Sequence, residues 1–570
     1  MTTLVGKKDK FSPVEGIKEA SNYLRGTILE GLADTTTGAI ADSDTNLTKF
    51  HGTYQQDDRD VRNERRKQKL ERAYFFMVRI RVPGGICTPD QWLEVDRLSD
   101  ENANGTIKVT TRQAFQLHGV LKGNLKATIQ GINRTLLDTL AACGDVNRNV
   151  MCNPNPDRSE IHREVYAAAR ALSEHLSPKT RAYHEIWLDG ERVAGGEEEI
   201  EPIYGKAYLP RKFKIGVAVP PSNDVDVFTQ DLGFIAIVEN ERLIGYNVTA
   251  GGGMGADHNK KETFPRLGDV IGFIEPEALI PVAEAVVTTQ RDYGDRSDRK
   301  HARLKYTIED RGVAWLKEEV ERRSGVELKA TMKFSFERTT DRYGWTEGLN
   351  GRWHFTLFIQ NGRLLDAEGF RLKSAVKAIA EMHKGDFRLT CNQNLIIANV
   401  DEGDRSRIES ILEDFAPGST DGTAHTGLRL NSLACVALPT CGLALSESER
   451  MLPGLLDSLE KIIDEAGLRG DAITIRMTGC PNGCARPYNA EIGLIGRGPG
   501  RYNLYLGGAF DGTRLNKLYK QGIRESEIIE VLRPLMQSYA LERVDGERFG
   551  DFCIRTGAIR ATHKGSEFHD

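Results

Sequence analysis

The segment GTIKVTTRQAFQLHGV at 105–120 returns in altered form as GDFRLTCNQNLIIANV at 385–400. Gly105/Gly385, Thr110/Thr390, Gln113/Gln393 and Val120/Val400 coincide, Lys108 falls on Arg388, and Ile107 falls on Phe387. The same spacing lays AYFFMVRIRV at 73–82 against WHFTLFIQNG at 353–362. One offset serving two separated segments argues against chance similarity. The period is far longer than that of any solenoid repeat. The pattern predicts duplicated α+β halves in a pseudo-twofold arrangement.

Side chains alternate across a strand, so each strand can be read for its two faces. In 73–82, Phe76, Val78, Ile80 and Val82 share one face, while Met77, Arg79 and Arg81 share the other. Pro83-Gly84-Gly85 ends the run. In GTIKVTTRQ, Ile107, Val109 and Thr111 oppose Lys108, Thr110 and Arg112. In RKFKIGVAV, Phe213, Ile215, Val217 and Val219 oppose Lys212, Lys214, Gly216 and Ala218. Cations beside small residues suit a surface that an anion approaches closely. The alternative is a sheet face bathed in water.

The chain has 570 residues, enough for several domains and a large core without covalent staples. A net charge of −5 argues against a nucleic-acid binder, which carries a basic excess. No apolar run reaches membrane-span length, and the first residues lack the apolar stretch of a signal peptide. Nine cysteines, an odd and sparse set, do not make a disulfide framework. A reducing, cytoplasmic setting is expected. Residues 1–50, rich in Thr, Asp and Gly, read as an arm with little core of its own, dispensable for holding any cofactor. The charged run after it reads as a solvated helix or connector. Residues 189–202 read as an acidic surface loop, and 446–468 as a helix opened by a Ser446/Glu449 capping box. The glycine-rich 251–255 and 496–500 lack a βαβ context and read as loops, so no nicotinamide or flavin fingerprint is present.

Four cysteines lie within fifty residues: Cys435 and Cys441 in ACVALPTC, and Cys480 and Cys484 in GCPNGC. Four thiolates are what a cubane iron–sulfur cluster requires. Structural zinc is an alternative, although the first pair is spaced more widely than zinc pairs usually are. Unconnected buried thiols are another, and Cys143 or Cys553 fit that description.

ACVALPTCGLALSESER and MTGCPNGCARPYNAEIGLIGRGPGRYNLYLGG, together with HGTYQQDDRD, RVPGG, TTRQAFQ, NRNV, LPRKFK, QRDYGDRSDRKHARLKYT and HKGDFR, closely resemble the haemoprotein subunits of assimilatory sulfite reductases, in the nitrite and sulfite reductase family. The resemblance runs from about residue 50 to about residue 560. It implies ferredoxin-like halves with pseudo-twofold symmetry, flanked by two α/β units that enclose a sirohaem and a 4Fe–4S cluster. It makes Cys435, Cys441, Cys480 and Cys484 the cluster ligands, with Cys484 bridging to the sirohaem. It places Arg81, Arg148, Lys212 and Lys214 around sulfite, and makes Arg112, Gln116, Asn149, Arg211 and Lys305 candidates for holding sirohaem carboxylates. His118 and His354 are then core or hydrogen-bonding residues rather than haem ligands.

The implied units are an arm at 1–70, halves at 71–145 and 346–425, a sirohaem- and sulfite-binding unit at 146–345, and an iron–sulfur unit at 426–570. The implied reaction is the six-electron reduction of sulfite to sulfide. The implied electron donor is a flavoprotein subunit carrying FAD and FMN and fed by NADPH, with ferredoxin as the alternative. A sirohaem nitrite reductase is the nearest rival, and the lysine pair of RKFK favours sulfite. A non-catalytic iron–sulfur or zinc protein is the rival of another class.

Overall fold

A computed structural model describes residues 11–189 and 199–569. The repeat becomes two five-stranded antiparallel sheets. In the first, Thr53–Asp57, Tyr74–Arg81, Ala114–Val120 and Ile107–Val109 lie side by side, and Arg363–Leu364 completes the edge. In the second, Gly344–Glu347, Trp353–Leu357, Leu395–Val400 and Asp386–Leu389 follow the same order, completed by Ile86–Cys87. Each half thus lends its partner a short edge strand, with Arg363 opposite Lys108 and Ile86 opposite Arg388. Helices Leu125–Arg134 and Arg405–Phe415 repeat at the offset seen in the sequence. Trp92, on helix Pro89–Asn102, joins the halves by packing against both Phe115 and Phe387. Phe76, Val78, Ile80 and Val82 are buried, as the alternation predicts. The fold is α+β.

A second duplication is not visible in the sequence reading. Met151–Cys152, Ile215–Ala218 and Leu232–Glu239 run parallel, then Arg242–Ala250 and Asp269–Ile274 return antiparallel. Ser432–Ala434, Ile475–Thr478 and Ile492–Gly498 repeat this, followed by Arg501–Leu506 and Lys517–Ile523. Each unit has a left-handed residue, Asp226 or Arg486, opening a 3-10 turn before its third strand. The repeated glutamines join the two duplications. Gln113 Nε2 donates to Cys152 O at 2.9 Å while its Oε1 accepts from Cys152 N at 3.2 Å. Gln393 makes the same pair of bonds with Ala434, at 3.0 and 3.3 Å.

Two expectations change. The described part of the N-terminal arm packs down. Leu24, Ile28, Leu47 and Phe50 join the main core, and Thr53–Asp57 pairs with Tyr74–Arg81. Lys18 is fully buried, donating to Leu209 O at 2.7 Å beside Glu15 at 2.6 Å. The helix expected from 446 begins at Leu452, because its capping groups are used elsewhere. Ser446 Oγ bonds Arg501 O at 3.0 Å, and the Glu449 carboxylate pairs with Lys108 at 2.5 Å and Arg363 at 2.6 Å. Most of the acidic loop, 190–198, lies outside the described residues. Residues 251–255 do form a loop, and it packs on the GCPNGC turn. Ala256 N donates to Pro481 O at 2.9 Å, and Gly483, at φ +64°, leaves no room for a Cβ beside Met254. Among the described residues, no helix is long and apolar enough to cross a membrane.

Candidate functional site

Where the first half meets both flanking units, a cavity of about 530 Å³ opens. Pockets of this size accept cofactor-sized ligands. All four clustered cysteines line it, facing Arg79, Arg112, Arg148, Arg211, Lys212 and Lys214. Gln116 and Asn149 also reach its wall. So do Val14, Asn46, Lys49 and Phe50, from the segment expected to be a dispensable arm.

Parallel strands deliver the thiols. Cys435 follows Ser432–Ala434, and Cys480 follows the neighbouring Ile475–Thr478, so both emerge at the carboxyl ends of adjacent strands, where open α/β sheets place ligands. Ala437, in the left-handed region at φ 54°, turns the chain so that Cys441 N can donate to its carbonyl at 2.9 Å. Donors already point at sulfur: Gly479 N lies 3.4 Å from Cys435 Sγ, and Asn482 Nδ2 lies 3.4 Å from Cys480 Sγ. Burial, then the like charge of Cys484, pushes the Cys435 thiol well above its ordinary value and Cys480 up to about 12. Four thiolates here need a cationic occupant. One zinc ion at about 2.3 Å from each sulfur needs sulfurs about 3.8 Å apart. Among the described residues, no three His, Cys, Asp or Glu side chains come together closely enough to hold a single ion. The donor set fits a multi-iron cluster.

The opposite wall carries buried positive charge without acceptors. Lys212, Lys214 and Arg211 flank the bridge that joins Phe213 to Asn147, and among the described residues none of the three side chains has a hydrogen bond or ion pair. Burial, with Arg211 next, pushes Lys212 down to about 7. Burial and then Lys212 push Lys214 well below its ordinary value. Arg112 bonds Gln230 Oε1 at 2.9 Å but leaves its Nε buried and unpartnered. Uncompensated buried cations call for an anionic occupant, and sirohaem carboxylates and sulfite meet that demand.

Two expected residues lie elsewhere, and others replace them. Arg81 is held by Asp138 at 2.7 Å and by Ser177 Oγ at 2.6 Å, away from the cavity. Lys305 Nζ is bound by the carbonyls of Gly255 at 2.7 Å, Gly253 at 3.2 Å, and Phe264, behind the glycine loop. Arg79, two residues before Arg81 on the same strand face, points into the cavity. Its Nη1 donates to Cys143 Sγ at 2.8 Å. With the Gln116 amide turned so that its oxygen faces the guanidinium, Gln116 accepts from Arg79 Nε at 2.9 Å and donates to His118 Nε2 at 3.2 Å. Asn149 is a scaffold residue as well as a wall, its Nδ2 donating to Val82, Arg112 and Gln113 carbonyls at 2.8–3.0 Å. Tyr54 adds a phenol pushed up to about 12 by burial and then by Cys143. Strand alternation identified the face that holds Arg79; nothing in the sequence reading pointed to Tyr54 or Lys49.

Comparison with known proteins agrees with this architecture. The nitrite/sulfite reductase ferredoxin-like half-domain matches residues 67–134 and 347–415, the two repeated halves. The nitrite and sulphite reductase 4Fe-4S domain matches 167–328, a span holding none of the four cysteines. The sulfite reductase (NADPH) hemoprotein beta-component of Staphylococcus saprophyticus is 59% identical over 568 residues, covering 100% of this chain and 99% of that one. Its Geobacillus kaustophilus counterpart is 60% identical over 564 residues, covering 98% of each. The NirA protein of Mycobacterium tuberculosis has a similar fold, with a TM-score of 0.78 at 24% identity over 96% of both chains. The chain belongs to the nitrite and sulfite reductase family, among the sulfite reductase haemoprotein beta-components.

Proposed function

We propose that this chain reduces sulfite to sulfide, as the haemoprotein component of an NADPH-dependent sulfite reductase. The observation that carries the reading is the convergence of four cysteines and a set of acceptor-free cations on one cavity. Cys435, Cys441, Cys480 and Cys484 would hold a 4Fe–4S cluster, with Cys484 the residue that would also serve a sirohaem. Arg112, Arg211 and Gln116, on the cavity wall, would hold sirohaem carboxylates. When bound, the two groups would relay to sulfite, in successive steps, the six electrons that an external donor delivers.

The protein's own side chains bind the anion and move protons. Arg79 and Arg148 offer guanidinium N–H groups to the sulfite oxygens, and their preset orientation stabilises charge there. Lys212 and Lys214 donate protons from Nζ as each oxygen leaves as water. Lys212, pushed down to about 7 by burial, is suited to giving up a proton at neutral pH. Both lysines of RKFK lie on the wall, which favours sulfite over nitrite as the preferred substrate. With no nicotinamide or flavin fingerprint in the chain, electrons come from a separate flavoprotein carrying FAD and FMN. All nine cysteines are free thiols, which fits a cytoplasmic enzyme.

The test is a visible spectrum with iron and acid-labile sulfide assays, on protein made with sirohaem synthesis intact, followed by sulfite-dependent sulfide production with a chemical reductant. Haem-type bands, about five irons per chain and sulfide formation are expected. A colourless zinc protein would overturn the reading.

A further inference from the structure

The second duplication builds two related loops before the third strand, and only one carries two of the four clustered cysteines, Cys480 and Cys484. Cys484 stands two residues before the left-handed Arg486; the residue two before the left-handed Asp226 is Asp224. The turn beside Cys484 belongs to the first half, where Thr111 Oγ1 donates to Cys484 O at 3.1 Å. Its repeat in the second half is the turn at Thr390 and Asn392, near Asp224. Across the loop that holds Asp224 runs a strap, residues 337–343. Glu337 N donates to Pro221 O at 2.8 Å, and Asn223 N donates to Arg338 O at 2.8 Å. Further along, Asp341 accepts from Thr390 Oγ1 at 2.6 Å and Asn392 Nδ2 at 3.0 Å.

The strap carries Arg338 and Arg342, and the turn Pro156–Arg158 brings Arg158 beside them. These guanidiniums lack acceptors. Among the described residues, Arg158 and Arg342 have no side-chain hydrogen bond or ion pair. Arg338 comes no closer to a carboxylate than 3.8 Å, from the largely exposed Glu337, and its Nε is buried without a partner. Burial is the main influence lowering Arg158 and Arg338, and the charge of Arg342 comes next for both, so the three share one locality. Asp224 does not neutralise them by contact: its Oδ2 accepts from Asn153 at 2.7 Å, and its Oδ1 is unpartnered. Arg342 is exposed to water, whereas Arg158 and Arg338 are partly buried beside it, and an anion joining the three would relieve their mutual repulsion. Guanidinium forks match the paired oxygens of an oxyanion.

We infer that Arg158, Arg338 and Arg342 form a second anion site, related by the internal duplication to the cofactor cavity, that binds a small inorganic oxyanion of the sulfate and phosphate class. It is separate from the cavity, none of whose lining residues it shares.

The test titrates holoenzyme with sulfate and, separately, phosphate, at ionic strength held constant with chloride, reading thermal stability and the visible bands together. Expected is saturable stabilisation by sulfate or phosphate beyond chloride, with unmoved bands, because the site lies away from the haem. The arm that saturates at lower concentration identifies the preferred anion. Arg342→Gln, at an exposed position that should fold normally, is expected to weaken binding about tenfold, the loss of one charge-assisted bond. Arg338→Gln should weaken it further. Stabilisation no greater than that of chloride, binding unchanged in Arg342→Gln, or a band shift tracking the same saturation curve would each overturn the site. The thermal readout and the variants do not depend on sirohaem, so this test stands apart from that of the proposed activity.

Discussion

Asp226 and Arg486 occupy equivalent positions in the two copies of the flanking unit, both left-handed, and they form a buried ion pair with each other. Arg476 joins the same carboxylate at 2.7 Å, and Asn489 Nδ2 reaches it at 3.2 Å. The pair pins the loop after Cys484 to the middle unit, so the walls that present thiols and cations are tied together through one carboxylate.

Asp226→Asn should therefore be strongly destabilising. It leaves two buried guanidiniums without their counter-charge, a loss of about 3–5 kcal/mol. Denaturant unfolding of the purified variant measures it. A change within error of zero would mean that the pair is not holding the units together.

Arg79 and Arg81 separate by function. Arg79→Gln should lower sulfite reduction by about a hundredfold with the fold intact, the scale for removing one preset donor. Arg81→Gln breaks the bridge to Asp138 and should lower the melting temperature while sparing turnover. Steady-state rates beside thermal melts decide, and the reverse pattern would return Arg81 to the sulfite site.

Cys484→Ser should disturb both cofactors if, as proposed, its one thiolate serves both. Iron, acid-labile sulfide and haem-type absorbance should fall together. Normal values for all three would rule out the shared ligand. Lys214→Asn should cut sulfite reduction more than nitrite reduction, and equal losses would remove the lysine pair from the account of substrate preference.

Removal of residues 1–50 should lower sirohaem retention, contrary to expectation from the sequence, since Val14, Asn46, Lys49 and Phe50 line the cavity. Absorbance per chain after purification measures this, and full occupancy would show that the segment only covers the site.

Glu491 supplies a pH signature. It is fully buried, accepts from Thr474 N at 2.8 Å and Gly550 N at 3.0 Å, and is pushed up to about 7 by burial. Its folded value lies above its unfolded one, so between about 4.5 and 7 the folded state holds a proton that the unfolded state has released. Stability therefore falls as pH rises through that window, by at most about 3 kcal/mol. Glu491→Gln should flatten the dependence. Urea unfolding at both ends of the window tests it, and parallel curves for wild type and variant would refute the assignment.

The sequence alone determined the duplicated halves and the four thiols. The Gln113/Gln393 and Thr110/Thr390 pairs survive because their turns need the same conformation and the same bonds in both copies. The cysteines are legible because cluster chemistry admits few other side chains. The second duplication was hidden, since equivalent positions carry opposite charges, Asp226 against Arg486, and Asp224 stands where Cys484 does. Only the tertiary structure decided that Arg79 rather than Arg81 meets the cavity. Alternation assigns both to one face, but the chain around Asp138 and Ser177 covers one end of that face and leaves the other open. It also decided that Lys305 is spent on backbone carbonyls and that the N-terminal segment closes the cavity wall. Those outcomes depend on which distant segments come to rest against each side chain, and that information lies in packing rather than in local pattern.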